Sequence, residues 1–301
     1  MKIGFLTNSL VWAGVKELDK IAEWAVSNGF QDLEVGPNIP LKEEIFYNVI
    51  EKYKIDISAF IYCRNFLTEN KSLAEEYRQS LIERIKFAPK VGVQKIICST
   101  GVSNKSLIEG NYVKFDPEES LEEVAETFKE FIELAEKHDV KLCFENCPVM
   151  GNTAISPYMW DRLFEKLDSD KIGLVMDPSH LIWQFINPYE SILKYGHKIY
   201  HVHGKDCEVK YDVLGTHGIL HSVSKANSGN GEGENALAKT WWRYRLPGLG
   251  DINWNKIIAN LQEVGYDGAI SIEHEDPVWE GSLEKVQVGL LKAKKHIESF
   301  L

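Results

Sequence analysis

Short runs of consecutive apolar residues alternate along this chain with longer stretches in which apolar residues recur every third or fourth position. The short runs, read as strands, cover 3–7, 32–36, 57–61, 95–100, 141–146, 172–177, 199–206 and 268–276. Most are nearly continuous in Val, Ile, Leu and Phe, the pattern of parallel strands buried on both faces. The stretches between them carry helical periodicity. Over 15–28, Leu18, Ile21, Ala22 and Ala25 share one face before Gly29. Over 117–137, an Asp116-Pro117 start signal precedes a stripe of Leu121, Val124, Phe128, Ile132 and Ala135. Segments 72–90, 255–264 and 283–300 read the same way, and shorter helices follow Ser156 and Asn187.

Strict alternation of eight such units predicts an α/β protein built as a closed (β/α)8 barrel, a TIM barrel. The 301 residues are read as one domain. The typical barrel needs about 250 residues, and most of the excess falls at 207–254, a long insertion after strand seven. That insertion is rich in Gly, Ser and Asn and carries Gly229, Gly231 and Gly233, the composition of a lid over the active site. An open doubly wound sheet is the alternative. Against it, Thr7-Asn8-Ser9-Leu10 follows the first strand where a glycine-rich phosphate loop would stand.

Composition narrows the partners. The chain has 34 basic and 45 acidic residues and a formal net charge of −11, which opposes nucleic acid and anionic membranes. No run is long and apolar enough for a span. The N-terminus reads as a strand rather than a signal peptide, so a cytoplasmic location is expected. Five scattered cysteines, with no CxxC pair, read as small buried thiols.

In a barrel of this kind the active site lies at the C-terminal ends of the strands. Strand five ends in Phe144-Glu145-Asn146, strand six in Met176-Asp177-Pro178-Ser179-His180, strand seven in His201-Val202-His203-Gly204-Lys205-Asp206, and strand eight in Ile272-Glu273-His274-Glu275. Four consecutive strands thus deliver a carboxylate or imidazole at one height, next to an apolar core that penalises unpaired charge. One divalent cation held by Glu145, Asp177, His203 and Glu273 explains the coincidence. The set is hard and oxygen-rich, suiting Mn²⁺ foremost, or Mg²⁺, Co²⁺ or Zn²⁺. Each residue has a bland alternative. Asp177 could cap the turn at Pro178. His201, one layer below His203 on the same face, could be a core histidine. His274 should point the other way.

These motifs, together with Pro247-Gly248-Leu249-Gly250, resemble the xylose-isomerase-like barrel superfamily, specifically the sugar phosphate isomerase/epimerase family, over essentially the whole chain. The resemblance implies that Glu145, Asp177, His203 and Glu273 bind one metal, that His180 contacts substrate, and that the two glutamates act as acid and base on opposite faces of a sugar. One departure stands out. The keto-sugar epimerases carry a further glutamate six residues after the strand-five glutamate, where this chain has Gly151.

The expected activity is a divalent-metal-dependent isomerase or epimerase of a keto-sugar, inosose or related carbohydrate, removing the proton alpha to a carbonyl through a metal-stabilised enediolate. Expelling a substituent from that intermediate gives the alternative, a lyase or dehydratase such as an inosose dehydratase or a 3-keto-glycoside C-deglycosidase subunit. An endonuclease IV-like phosphodiesterase and a non-catalytic barrel are less favoured. Glu145, Glu273 and His180 are the expected catalytic residues. Substrate contacts are expected from His180, Lys205, Arg243 and Trp241, with Asp206 supporting the metal site or substrate. For Lys205 and Asp206 the alternative is a rim ion pair. For Arg243, Arg245, Trp241 and Trp242 it is a surface loop pinned by its tryptophans. The partner is a small carbohydrate, and Trp160 and Trp183, taken as exposed, would serve a second copy or a partner subunit.

Overall fold

The computed structural model describes residues 1–106, 116–219 and 241–301. Its strands are β1 (Lys2–Leu6), β2 (Asp32–Val35), β3 (Asp56–Ile61), β4 (Lys95–Cys98), β5 (Lys141–Glu145), β6 (Ile172–Met176), β7 (Ile199–Gly204), β8 (Asp206–Val209), β9 (Trp242–Arg245) and β10 (Ala269–Ile272). Strands β1 to β7 run in sequence around a closed parallel barrel, and β10 fills the gap between β7 and β1. Closure rules out the open sheet.

The expected seventh strand, 199–206, is two strands. The parallel ladder with β10 ends at Ile272 opposite Gly204. Beyond Lys205 the chain pairs antiparallel with the returning insertion, Asp206 opposite Arg245 and Val209 opposite Trp242. The start and end of the insertion therefore form a β8–β9 ribbon. Residues 220–240, with Gly229, Gly231 and Gly233, lie outside the described residues.

Helix starts follow the capping signals. The Asp116, Ser156, Asn187, Asn253 and Ser282 side chains accept backbone N–H bonds at the heads of the segments that follow them. Among the described residues, four helices go beyond the sequence reading: Asn8–Trp12, Glu43–Tyr53, Pro178–Ile182 and Tyr211–His217. Glu43–Tyr53 buries only Phe46 and Val49, too narrow a stripe to stand out from its polar residues.

Alternation along each strand sorts the core. Leu6, Ala59, Ile61, Cys63, Ile97, Cys143 and Val175 pack inside the barrel. Phe144, Leu174, Met176 and Val202 belong to the larger core shared with the helices. Trp160 is a correction. It is 1 % exposed, donates Nε1–H to the Ala154 carbonyl at 2.7 Å, and stands edge-on to Tyr195, so it cannot serve a subunit contact. Trp183 stacks on Trp242 with ring centroids 4.5 Å apart.

At the start of β2, Asp32 is buried and accepts a 2.5 Å hydrogen bond from Ser58. Burial pushes its pKa up to about 8, the Ser58 bond only partly opposing this. The folded protein thus keeps a proton that the unfolded chain releases near pH 4. Its contribution is intact below that pH, and stability falls as pH rises toward 8. Asp32→Asn removes the titration. Unfolding at pH 5 and pH 9 should show the variant gaining on wild type at the higher pH by roughly 3 kcal/mol or more, at about 1.4 kcal/mol per pH unit. Parallel curves for the two proteins would show that Asp32 is ionised throughout.

Candidate active site

The inward positions of four strands converge at the C-terminal mouth. Glu145 follows Cys143 in phase on β5, Asp177 follows Val175 past the end of β6, His203 follows His201 on β7, and Glu273 follows Ser271 past β10. One ligand-type atom from each of Glu145, Asp177, His203 and Glu273 lies within 4.8 Å of the other three. His203 Nδ1 is 3.3 Å from Glu145 Oε1, 3.2 Å from Glu273 Oε2 and 3.8 Å from Asp177 Oδ2.

These atoms approach one another without being aligned as hydrogen-bond partners. Both ring nitrogens of His203, Nε2 of His180 and Oδ2 of Asp177 are buried with no aligned partner. Orphaned buried polar atoms of this kind are costly unless something else satisfies them. Three carboxylate oxygens and one imidazole nitrogen are the chemistry of a hard divalent cation.

Asp177 combines the two roles that compete for it in the sequence. Its Oδ1 caps the following helical turn, accepting from the Ser179 N–H at 2.9 Å and Oγ at 2.6 Å, while Oδ2 faces the cluster. Asn146 holds the backbone of Asp177 through both its N–H and its carbonyl.

Lys205 occupies the break between β7 and β8 and is 1 % exposed. Its Nζ lies 2.7 Å from Glu273, 3.1 Å from Glu275 and 3.1 Å from Asp177. Burial opposes its charge, but these three carboxylates outweigh burial and hold its pKa well above the ordinary value. It is not a rim ion pair. Burial likewise opposes ionisation of Glu145, and His180, His203 and Lys205 outweigh it, holding that carboxyl well below the usual range.

Other expected residues lie elsewhere. Asp206 turns away from the mouth. It accepts from the N–H groups of Cys207, Gly248 and Ile252 and from Trp254 Nε1, anchoring the insertion's return. A Cβ at Gly250 would sit 2.3 Å from Asp206 Oδ1, which accounts for a glycine in the Pro247–Gly250 turn. Arg243 pairs with Glu208 across the ribbon, and Arg245 with Glu208 and Asp276. Trp241 stacks on Phe185. The physical reason is the two-residue period of a strand: on β9 the arginines share one face and Trp242 and Tyr244 the other. The residue β9 brings to the site is Tyr244, hydrogen-bonded through its hydroxyl to His180 Nδ1 at 2.9 Å. The arginine lining the mouth cavity, of about 400 Å³, is Arg64, beside Trp12, Glu145, Lys205, Tyr244 and Glu273.

Glu34, Cys63, Cys147 and Glu275 also stand at or beside the site, a place the sequence motifs do not assign to them. Glu34 is fully buried beneath the cluster, its Oε2 2.8 Å from His201 Nε2 and 3.2 Å from His203 Nε2. Burial pushes Glu34 up, yet the two histidines pull its pKa down to about 2. A lone carboxylate inside the apolar run Leu33-Glu34-Val35 was the available signal. His201 is thus a hydrogen-bonded core histidine. His274 packs outside the barrel against Gly289. Cys63 donates its thiol to Glu145 at 3.3 Å. All five cysteines are buried and free.

With this geometry in place, the family model described as xylose isomerase-like TIM barrel matches residues 22–294. The chain belongs to that family. Among curated relatives, inosose dehydratase of Clostridium perfringens (strain 13 / Type A) is 27 % identical over 291 residues, covering 92 % of this chain and 88 % of the relative. Inosose dehydratase of Lacticaseibacillus casei is 25 % identical over 276 residues, covering 90 % and 85 %. Among solved structures, the IolI protein with a bound zinc atom superposes with a TM-score of 0.70 at 16 % identity, covering 100 % of this chain and 99 % of that one. The 3-keto-D-glucoside 4-epimerase of E. coli gives 0.70 at 12 % identity, covering 98 % and 99 %. These two likenesses concern the fold. Among the described residues no helix is long and apolar enough to cross a membrane.

Proposed function

We propose that the chain is a divalent-cation-dependent enzyme that moves a proton alpha to the carbonyl of a keto-sugar, inosose or related carbohydrate. The observation that carries this reading is the convergence of Glu145, Asp177, His203 and Glu273 within 4.8 Å, beside a buried lysine at the floor of an open cavity. The donor set fits Mn²⁺ first, with Mg²⁺, Co²⁺ and Zn²⁺ as alternatives. A bound cation supplies a positive centre for the oxyanion that develops at the substrate carbonyl.

Glu145 and Glu273 stand on β5 and just past β10, with β6 and β7 between them, so they can flank a substrate. One takes the proton and the other returns it. His180, its ring fixed by Tyr244, aims Nε2 into the same space and orients a substrate hydroxyl. Lys205 holds its ammonium against Glu273 and Glu275.

The second reading, elimination of a hydroxyl from the same carbanion-type intermediate, has its own support. Lys205 is a buried, protonated acid within reach of Glu273, able to protonate a departing hydroxide, and the curated relatives above are dehydratases by name. Gly151 weighs against simple C3 epimerisation. Its φ is +67° and a Cβ there would stand 2.8 Å from the Asn65 Cβ, so no glutamate fits in this backbone.

Proton NMR in D₂O separates the outcomes. Deuterium appearing in an intact ketose indicates isomerisation or epimerisation, and an unsaturated product indicates elimination. If keto-sugars and inososes show neither exchange nor turnover with the Mn²⁺-loaded protein, the reading fails.

A further inference from the structure

A second donor cluster shares Glu145 with the first. One atom from each of Glu145, Cys147 and His180 lies within 4.8 Å of the other two. His180 is fully buried, and its Nε2 has no aligned hydrogen-bond partner, standing 3.4 Å from Glu145 Oε1. The Tyr244 hydroxyl on Nδ1 fixes the ring so that Nε2 faces this cluster, the support a ligating imidazole ordinarily receives from its other nitrogen. Asn152 pins the loop after β5 by donating to the carbonyls of both Glu145 and Cys147, which holds the thiol in place. The charges leave room for a second cation, because Asp177, Glu273 and Glu275 share the single Lys205 ammonium and Glu145 adds a fourth carboxylate beside them.

We infer that Glu145, Cys147 and His180 form a second cation site, softer than the first, that takes thiophilic divalent ions such as Zn²⁺ or Cd²⁺. A thiolate, an imidazole and one carboxylate favour such ions, whereas Mn²⁺ and Mg²⁺ prefer oxygen. Binding replaces the Cys147 thiol proton, released to solvent, with a sulfur–metal bond. Filling this site occupies His180 and Glu145 together, so excess Zn²⁺ competes with carbohydrate at the mouth. The shared Glu145 ties the site to the proposed function, but its occupancy is read without turnover.

The test is a titration of the chelator-stripped full chain with Mn²⁺ and, separately, Cd²⁺. Mn²⁺ should bind at one equivalent. Cd²⁺ should bind at two, with thiolate-to-cadmium charge-transfer absorption. Cys147→Ser should lose the absorption and the second equivalent while still binding one Mn²⁺, and Cys63→Ser should keep both. His180→Asn should weaken the second equivalent at least tenfold. Wild-type Cd²⁺ binding that stops at one equivalent without the absorption, or absorption that disappears in Cys63→Ser and persists in Cys147→Ser, overturns the inference. Failure of Mn²⁺ to bind at all would instead strike the proposed function.

Discussion

Glu145→Gln and Glu273→Gln should each lower turnover by about 10²- to 10⁴-fold, the range supplied by a positioned general acid or base. Each change also takes a charged oxygen from the four-atom cluster, so weaker cation binding adds to the loss. The fold should survive. Both side chains sit at the barrel mouth, where they meet other charged groups rather than apolar core, and glutamine keeps their volume. Far-UV circular dichroism and a cooperative thermal transition check the fold, and steady-state kinetics at saturating Mn²⁺ check the rate. Wild-type rates in both variants would remove the two glutamates from the chemistry.

The second large effect is expected one layer down. Glu34 touches no solvent and does not reach the mouth, yet it sits against both His201 and His203. Its charge draws the Nε2 side of the His203 ring inward, leaving Nδ1 among the carboxylates of Glu145, Asp177 and Glu273. Outer-shell carboxylates of this type typically govern metal affinity by 10- to 100-fold. Glu34→Gln, which keeps size and loses charge, should raise the Kd for Mn²⁺ by that order. Calorimetric titration of the stripped protein reads the change directly, and a spectroscopic readout on bound Mn²⁺ reports the site apart from turnover. An unchanged Kd would show that His203 is held by packing alone. The two variant sets also separate from each other. With Glu34→Gln, activity should recover as Mn²⁺ is raised, whereas the Glu145 and Glu273 variants should stay slow at saturation.

Much of the site was legible because of strand geometry. Glu145, Asp177, His203 and Glu273 each end an apolar run, and a closed barrel brings strand ends to one height. Lys205 was legible as a strand-end residue, though its burial was not. Pairing across the insertion was not legible. Whether Arg243 or Tyr244 faces the mouth depends on the register of Trp242–Arg245 against Asp206–Val209, and a one-residue slip exchanges the two faces. Glu34 was missed because a single charge in a four-residue strand says nothing of its partners, of which His201 lies 167 residues away on β7 and His203 beyond it.

The amino-acid order alone determined the alternation of strands and helices, the capped helix starts, and the polar residues that close strands five to eight. These follow from local forces: side-chain period, capping chemistry and the cost of burying charge. The tertiary structure decided what depends on closure and register. It set Tyr244 rather than Arg243 against His180, turned Asp206 away from the mouth, stacked Glu34 beneath His203, and brought His180 up to Glu145 and Cys147. Each of those contacts joins segments far apart in the chain, so its geometry is set only when the ring of strands closes.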